Sequence, residues 1–175
     1  SRDRFAYNLT LGIFAMFFHI INHSVSKALA FCTCGNLQEI YGTRDTTKMG
    51  GLVKIAPFTA VLLGISMFSL AGMPPLAIFT SEFYTVAAGV EKGSYIGIAL
   101  LILGLTIVFY GLVKNFIKVA FGKEEAEVIH KSEVSFAANF PLIVLGVIIC
   151  LIGIMPPDGL MSLLNSAVSM VLGNL

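Results

Sequence analysis

An all-α bundle of membrane-spanning helices, one of them broken, is the fold this sequence predicts. Apolar residues make up 57% of the chain and charged residues 12%, where a soluble domain carries about 45–50% and about 25%. Several apolar runs approach the roughly 20 residues that cover a bilayer core. The longest of them is cut by a glycine and paired prolines. A formal net charge of +1 offers nucleic acid no basic surface.

Taken in order, the first span runs from about Leu11 to Leu37, and with its flanking turns it covers about residues 6–40. A polar connection, Tyr41 to Gly51, follows. The second stretch, about 55–90, is too long for one straight crossing and is broken at 72–75. There Pro74 and Pro75 lack N–H donors, so the carbonyls of Leu70 and Ala71 lose helical partners. A third span covers about 95–119, from Tyr95 to Val119, and a charged loop from Lys118 to Glu133 follows. The fourth, about 136–155, stops at Pro156-Pro157. Residues 1–156 are therefore expected to hold four crossings.

Residues 157–175 read differently. Leu160, Leu163, Leu164, Ala167, Val168, Val171, Leu172 and Leu175 recur at helical spacing, with Ser162, Asn165, Ser166, Ser169 and Asn174 opposite. That pattern predicts an amphipathic helix beginning near Asp158 or Gly159. It lacks the lysines of a surface-binding helix, so docking on a neighbour is expected.

Lysine and arginine counts orient the chain. Arg44, Lys48, Lys54, Lys118, Lys123 and Lys131 gather on one side, against Arg2, Arg4 and Lys92 on the other. The first set is expected to be cytoplasmic. Ser1 in place of a methionine reads as a processed chain or a piece of a longer one. Cys32, Cys34 and Cys150 sit in apolar spans and read as buried, reduced packing residues.

The informative residues are polar ones within the spans. His19, His23 and Lys27 follow one another at steps of four, each step advancing roughly 6 Å and rotating about 40°. They form a slanting ladder on one face, with Asn22 and Ser26 beside it. Phe14, Phe17, Phe18 and Leu29 form the other face, suited to lipid or packing. Placing a Lys at mid-membrane costs roughly 2.5–3.5 kcal/mol on insertion scales, and such residues usually face a cavity or pathway. Histidine already titrates near neutral pH. Three protonatable groups at one-turn intervals suit a proton relay through bridging waters; histidines bonded to serines and a static lysine pair are the plainer alternative. No H-E-x-x-H pattern supports zinc, and no metal site is expected.

A break such as Gly72, Pro74 and Pro75 supply is tolerated at membrane depth only where backbone is buried in protein or lines a wet cavity. Discontinuous helices recur in transporters. Glu82 follows roughly 10 Å beyond the break, placed to take protons from a central relay or to reach the headgroups. Lys114, near the end of the third span, suits a pathway or a snorkelling role.

These residues also carry a resemblance. Phe18-His-Ile-Ile-Asn-His-Ser-Val-Ser-Lys-Ala-Leu-Ala-Phe31 resembles the histidine–lysine helix of the antiporter-like subunits of respiratory complex I and its relatives. Gly42-Thr-Arg-Asp45, Met49-Gly-Gly-Leu52, Leu70-Ala-Gly-Met-Pro-Pro75, Phe79-Thr-Ser-Glu-Phe83 and Gly153-Ile-Met-Pro156 follow in family order. Within that family, Gly35-Asn-Leu37, the Tyr41–Asp45 turn and Ser81-Glu-Phe83 look most like the F component of hydrogenase-4 and related group 4 [NiFe] hydrogenase subunits.

The resemblance implies a fourteen-helix unit of two inverted repeats, of which this sequence matches only the C-terminal part. It implies that Lys27 is the central-axis lysine, that His19 and His23 connect along it, and that Glu82 holds the broken-helix position. The expected protein is a proton-translocating membrane subunit of a redox-driven hydrogenase- or complex I-like pump in the prokaryotic inner membrane. No redox chemistry is expected on this chain; the [NiFe] centre and iron–sulfur clusters belong to partner subunits, and another subunit supplies the missing repeat. A sodium/proton antiporter subunit of the multi-subunit type, with Na+ as the exchanged ion, and a non-conducting structural subunit are the alternatives.

Overall fold

The computed structural model describes residues 2–123 and 133–173, with side chains from residue 7 onward. The side chains of Arg2 and Arg4, and Lys131, Asn174 and Leu175 altogether, lie outside the described residues. Within them the chain is helical throughout: α1 (Arg2–Tyr41), α2 (Leu52–Ile55), α3 (Pro57–Leu70), α4 (Ala77–Lys92), α5 (Tyr95–Phe121), α6 (Phe136–Ile154) and α7 (Asp158–Gly173).

Helices α1, α5 and α6 are each long and apolar enough to cross a membrane. At 1.5 Å per residue α3 and α4 reach only about 21 and 24 Å, so a crossing there takes the two in series. Helix α1, at 40 residues, is about 60 Å long and outruns the predicted first span. No proline interrupts it, and it stops only where Gly42 turns left-handed at φ 65°.

The second stretch begins differently from its sequence pattern, which reads as one run from about residue 55. Gly51 enters the left-handed region at φ 71°, α2 makes a single turn, and Ala56 (φ −142°) breaks it before Pro57 starts α3. Proline preorganises a first helical turn but cannot continue the turn before it.

The main break also has a cause other than the prolines alone. Gly72 is left-handed at φ 67°, its N–H donates to Ser69 O at 3.0 Å, and the Met73 N–H donates to Phe68 O at 3.0 Å. That pair of bonds is a Schellman motif. Helix α3 is thus already closed at Leu70, and Pro74 and Pro75 prevent its resumption. Gly93 ends α4 in the same way, with Gly93 N–H to Val90 O and Ser94 N–H to Gly89 O, both 2.9 Å.

The core has two parts. One joins Phe14, Phe18 and Leu29 of α1 to Leu62, Ile149 and Leu164; the phenylalanine face of α1 is therefore packing surface. The other joins Leu37, Ile40, Leu52, Leu63 and Val119 at the end carrying Lys48, Lys54 and Lys118. Helix α7 lays Leu164 and Val168 against this chain's own core, while Leu163 stays exposed. Cys32 and Cys34 depart from the expected burial: both are exposed and free, because α1 turns them towards the side that no other described element covers.

Connections are tied by specific contacts. Tyr41 OH donates to Gly50 O at 2.7 Å, and a Cβ at Gly50 would meet the backbone of Gly122 and Lys123. The Met49–Leu52 motif is thus a close backbone crossing. Beside it, Asp45 Oδ1 accepts from the Thr47 N–H at 2.9 Å and the Thr47 hydroxyl at 2.6 Å. The Thr47 hydroxyl and N–H bonds, with Lys48 and Lys118 nearby, hold this exposed carboxyl below the usual carboxylate range. At the start of α6, Ser135 caps Ala138 N–H. Its neighbour Glu133 reaches back to α3, accepting from Phe58 N–H at 2.9 Å, Thr59 N–H at 3.1 Å and the Thr59 hydroxyl.

Candidate functional site: the polar seam at the helix break

Helix α1 passes directly alongside the break between α3 and α4. Its residues 19, 22 and 26 lie on one stripe, because spacings of three and four return to the same helical face. Each finds a partner across the seam. Ser26 Oγ lies 2.7 Å from Ser69 Oγ, in the last turn of α3. Asn22 Nδ2 donates to Ala77 O, in the first turn of α4, at 2.8 Å. His19 Nδ1 lies 3.1 Å from Ser81 Oγ, one turn further into α4. Asn22, Ser26, Ser69 and Ser81 are fully buried. A single unbroken helix thus grips both halves of a broken one.

The Ser81 hydroxyl is directed to Ile78 O at 2.8 Å, so its one proton is committed there. With that proton engaged by Ile78 O, the His19 tautomer that fits the contact carries its hydrogen on Nδ1. The His23 ring stacks on that of His19 with centroids 5.7 Å apart. Asn22 Oδ1 is buried with no partner among the described residues, an acceptor that costs about 1–3 kcal/mol unless a donor reaches it.

Lys27 does not complete the ladder inside the molecule. It is exposed, and its Nζ lies 5.8 Å from the Phe31 ring centroid. The roughly 40° rotation at each step carries the ladder from the half-buried His19 and His23 to the open side of α1.

Glu82 sits on the other flank of α4. Its side chain lines a cavity of about 350 Å³ with Gly72, Phe79, Val86, Thr106 and Phe109. A Cβ on Gly72 would collide with the carboxylate, so the glycine that ends α3 also makes room for it. No hydrogen bond or ion pair engages Glu82 among the described residues. The seam therefore reaches α4 at Ser81, and Glu82 is its sequence neighbour facing α5. Of the break residues, Pro74 and Pro75 are exposed, and the Pro75 carbonyl lies against Gly153 of α6.

Lys114 is not brought to the seam. It projects from the outer face of α5, which makes no contact with α1, and its Nζ lies 5.7 Å from the Tyr110 ring centroid.

Sequence reasoning named Asn22 and Ser26 but missed Ser69, Ser81 and the Ala77 carbonyl. Ser81 immediately precedes Glu82, and Ser69 lies one turn before Gly72; small hydroxyls in otherwise apolar half-helices were the available signal.

Residues 5–109 match a protein family described as "NADH:quinone oxidoreductase/Mrp antiporter, TM". Over 150 residues the chain is 31% identical to a Staphylococcus aureus (strain MRSA252) protein carrying the name antiporter subunit mnhD2. It is equally similar to the mnhD2 protein of strain N315. These matches cover 86% of this chain and 30% of either relative, so the chain spans about a third of their length. In fold it is similar to a chain of the structure of the Mrp complex from Dietzia sp. DQ12-45-1b. There the TM-score is 0.80 at 19% identity, covering 91% of this chain and 38% of that one.

Proposed function

This chain belongs to the NADH:quinone oxidoreductase/Mrp antiporter family, and from that premise we propose that it is the C-terminal part of a proton-translocating membrane subunit. The observation that carries the reading is the His19–Ser81 contact at 3.1 Å. It joins a ladder of protonatable side chains on a continuous helix to the second half of a broken one. A neutral imidazole holding a proton on Nδ1 and accepting on Nε2 passes protons by exchanging tautomers. His23, stacked one turn away, extends that chemistry towards Lys27.

In this reading protons move along Lys27, His23 and His19 to the neighbourhood of Ser81, and Glu82 takes them up beside the break. Gly72, Pro74 and Pro75 form the hinge. Lys114 stands apart from the seam, on the exposed side of α5. The exposed Lys27 gains its surroundings from membrane segments outside these residues, contributed by the rest of a longer protein or by another subunit.

Two assemblies fit this role. The relatives named as antiporter subunits, together with the fold similarity to a Mrp complex chain, support a multi-subunit cation/proton antiporter. The Gly35–Leu37, Tyr41–Asp45 and Ser81–Phe83 motifs support a hydrogenase-4-like membrane arm, with the [NiFe] centre, clusters and electron transport in partner subunits. Either places the chain in a prokaryotic cytoplasmic membrane.

The test is proton movement in sealed vesicles carrying the whole assembly, driven by a sodium gradient or by the redox substrate. Lys27→Ala is expected to abolish it with assembly intact, and Lys27→Arg to keep part. Unchanged translocation in Lys27→Ala would overturn the path. The driving force that works separates the two assemblies.

A further inference from the structure

The two helices that follow the break face each other with matched spacing and do not close. On α4, Phe79, Glu82, Phe83 and Val86 stand at i, i+3, i+4 and i+7, one face of a helix. On α5, Ile102, Leu105, Thr106 and Phe109 repeat that spacing across the cavity of about 350 Å³, a volume within the range of small-molecule sites. At the Gly93 turn the same helices are pressed together: a Cβ at Gly89 would meet the Ile98 side chain. They splay from there towards the break, and the wedge between them holds one charged group.

That group is the Glu82 carboxylate. It lies about 15 Å along α4 from Lys92, half the thickness of a bilayer core, so the ammonium of a lipid headgroup does not reach it. Thr106 is the other polar side chain among the described lining residues. Its hydroxyl donates to Ile102 O at 2.8 Å, which leaves the carboxylate no donor there. What sits beside Glu82 must be positive or supply a proton, and must be apolar elsewhere. Ca2+ or Mg2+ takes six or more oxygens, against one carboxylate and one hydroxyl from these side chains. The rings of Phe79 and Phe83, with centroids 6.4 Å apart, and of Phe109 opposite suit a cation of low charge density instead, since aromatic faces attract alkylated ammonium groups. Phe83 and Ile102 are 64% and 51% exposed, so the wedge opens sideways, the direction from which a membrane-dissolved amphiphile arrives.

We propose that the wedge between α4 and α5 is a binding site for a lipophilic organic cation. This is an alkylated ammonium whose charge pairs with Glu82 and whose apolar part lies between Phe79, Phe83 and Phe109. The site shares Glu82 with the proton path but requires no proton movement, so binding alone tests it.

Tritiated benzyltrimethylammonium, titrated against the solubilised assembly by equilibrium dialysis, is expected to show a saturable component. Glu82→Gln should weaken it about tenfold or more, and Phe83→Leu about two- to fivefold. Neopentylbenzene, the same shape with carbon in place of nitrogen, should compete at least about tenfold less well than the unlabelled cation. Val86→Phe, which fills the wedge and keeps the carboxylate, should abolish the saturable component. Absence of that component in the unaltered assembly would overturn the proposal. So would equal competition by the neutral analogue, the mark of a merely apolar cleft filled by lipid. Binding unchanged in Glu82→Gln or in Val86→Phe would place the cation elsewhere and overturn it too.

Discussion

Gly72 carries two constraints at one atom. Its positive φ puts any other residue in a conformation that costs roughly 1–2 kcal/mol, and an added methyl would occupy the space of the Glu82 carboxylate. Gly72→Ala is therefore expected to lower the melting temperature of the solubilised assembly and to depress proton translocation further than the lost stability accounts for. An unchanged melting temperature would show that the Schellman turn does not set the end of α3. Asp45 offers a contrasting case outside the membrane. Its carboxyl is held low by Thr47, so its contribution is complete above the unfolded pKa near 4 and drains away as pH falls towards the lower folded value. The protection factor of the Thr47 amide, its exchange rate relative to the intrinsic rate at each pH, should fall on acidification below pH 4 and stay flat above it; Asp45→Asn should remove that dependence. At this scale the sequence was partly legible. A glycine before paired prolines announces a break, but the side chain lodged against it comes from ten residues further on, where no local pattern reveals it.

Among the helices, α6 meets the break backbone to backbone. A Cβ at Gly153 would meet the backbone of Pro75, Leu76 and Ala77, and Thr80 donates to Gly153 O at 3.3 Å. Backbone cannot yield as a side-chain tip can. Gly153→Ala is expected to cost about 1–3 kcal/mol in thermal unfolding of the solubilised protein. Gly159→Ala, where the added atom meets nothing, should be neutral. The Gly153–Pro156 motif is thus explained by packing. The hydropathy pattern located α1, α5 and α6, since each needs only length and apolar composition. It could not show that α1 winds its own ladder out of the interior. Helical period gives relative directions around an axis, whereas burial depends on which neighbours arrive and where.

Across the whole molecule, one chain of polar contacts joins three helices at the end carrying Lys48 and Lys54. Asn36 of α1 donates to Asn139 of α6 at 2.8 Å, and Asn139 donates to Val134 O at 3.3 Å. Beside Val134, Glu133 caps α3. A carboxylate on a helix N-terminus satisfies donors that the helix itself cannot, and here it is supplied from 74 residues away. Glu133→Ala should cost about 1–2 kcal/mol and speed hydrogen exchange at Phe58 and Thr59 while sparing the Gly89–Gly93 turn. Uniform acceleration would instead indicate global loosening. Such a contact was illegible beforehand, because a capping partner that distant leaves no spacing to read.

The three bonds along α1 give the break a mechanical character. A rod about 60 Å long is riveted on one side of a joint through Ser26–Ser69 and on the other through Asn22–Ala77 and His19–Ser81. If α4 tilts relative to α3 while the rod stays straight, the rivets cannot all hold. Their number is unequal: one hydroxyl pair secures α3, and two contacts secure α4. In polar contacts the serine pair is the weaker rivet, so α4 is bound the more firmly to the histidine stripe.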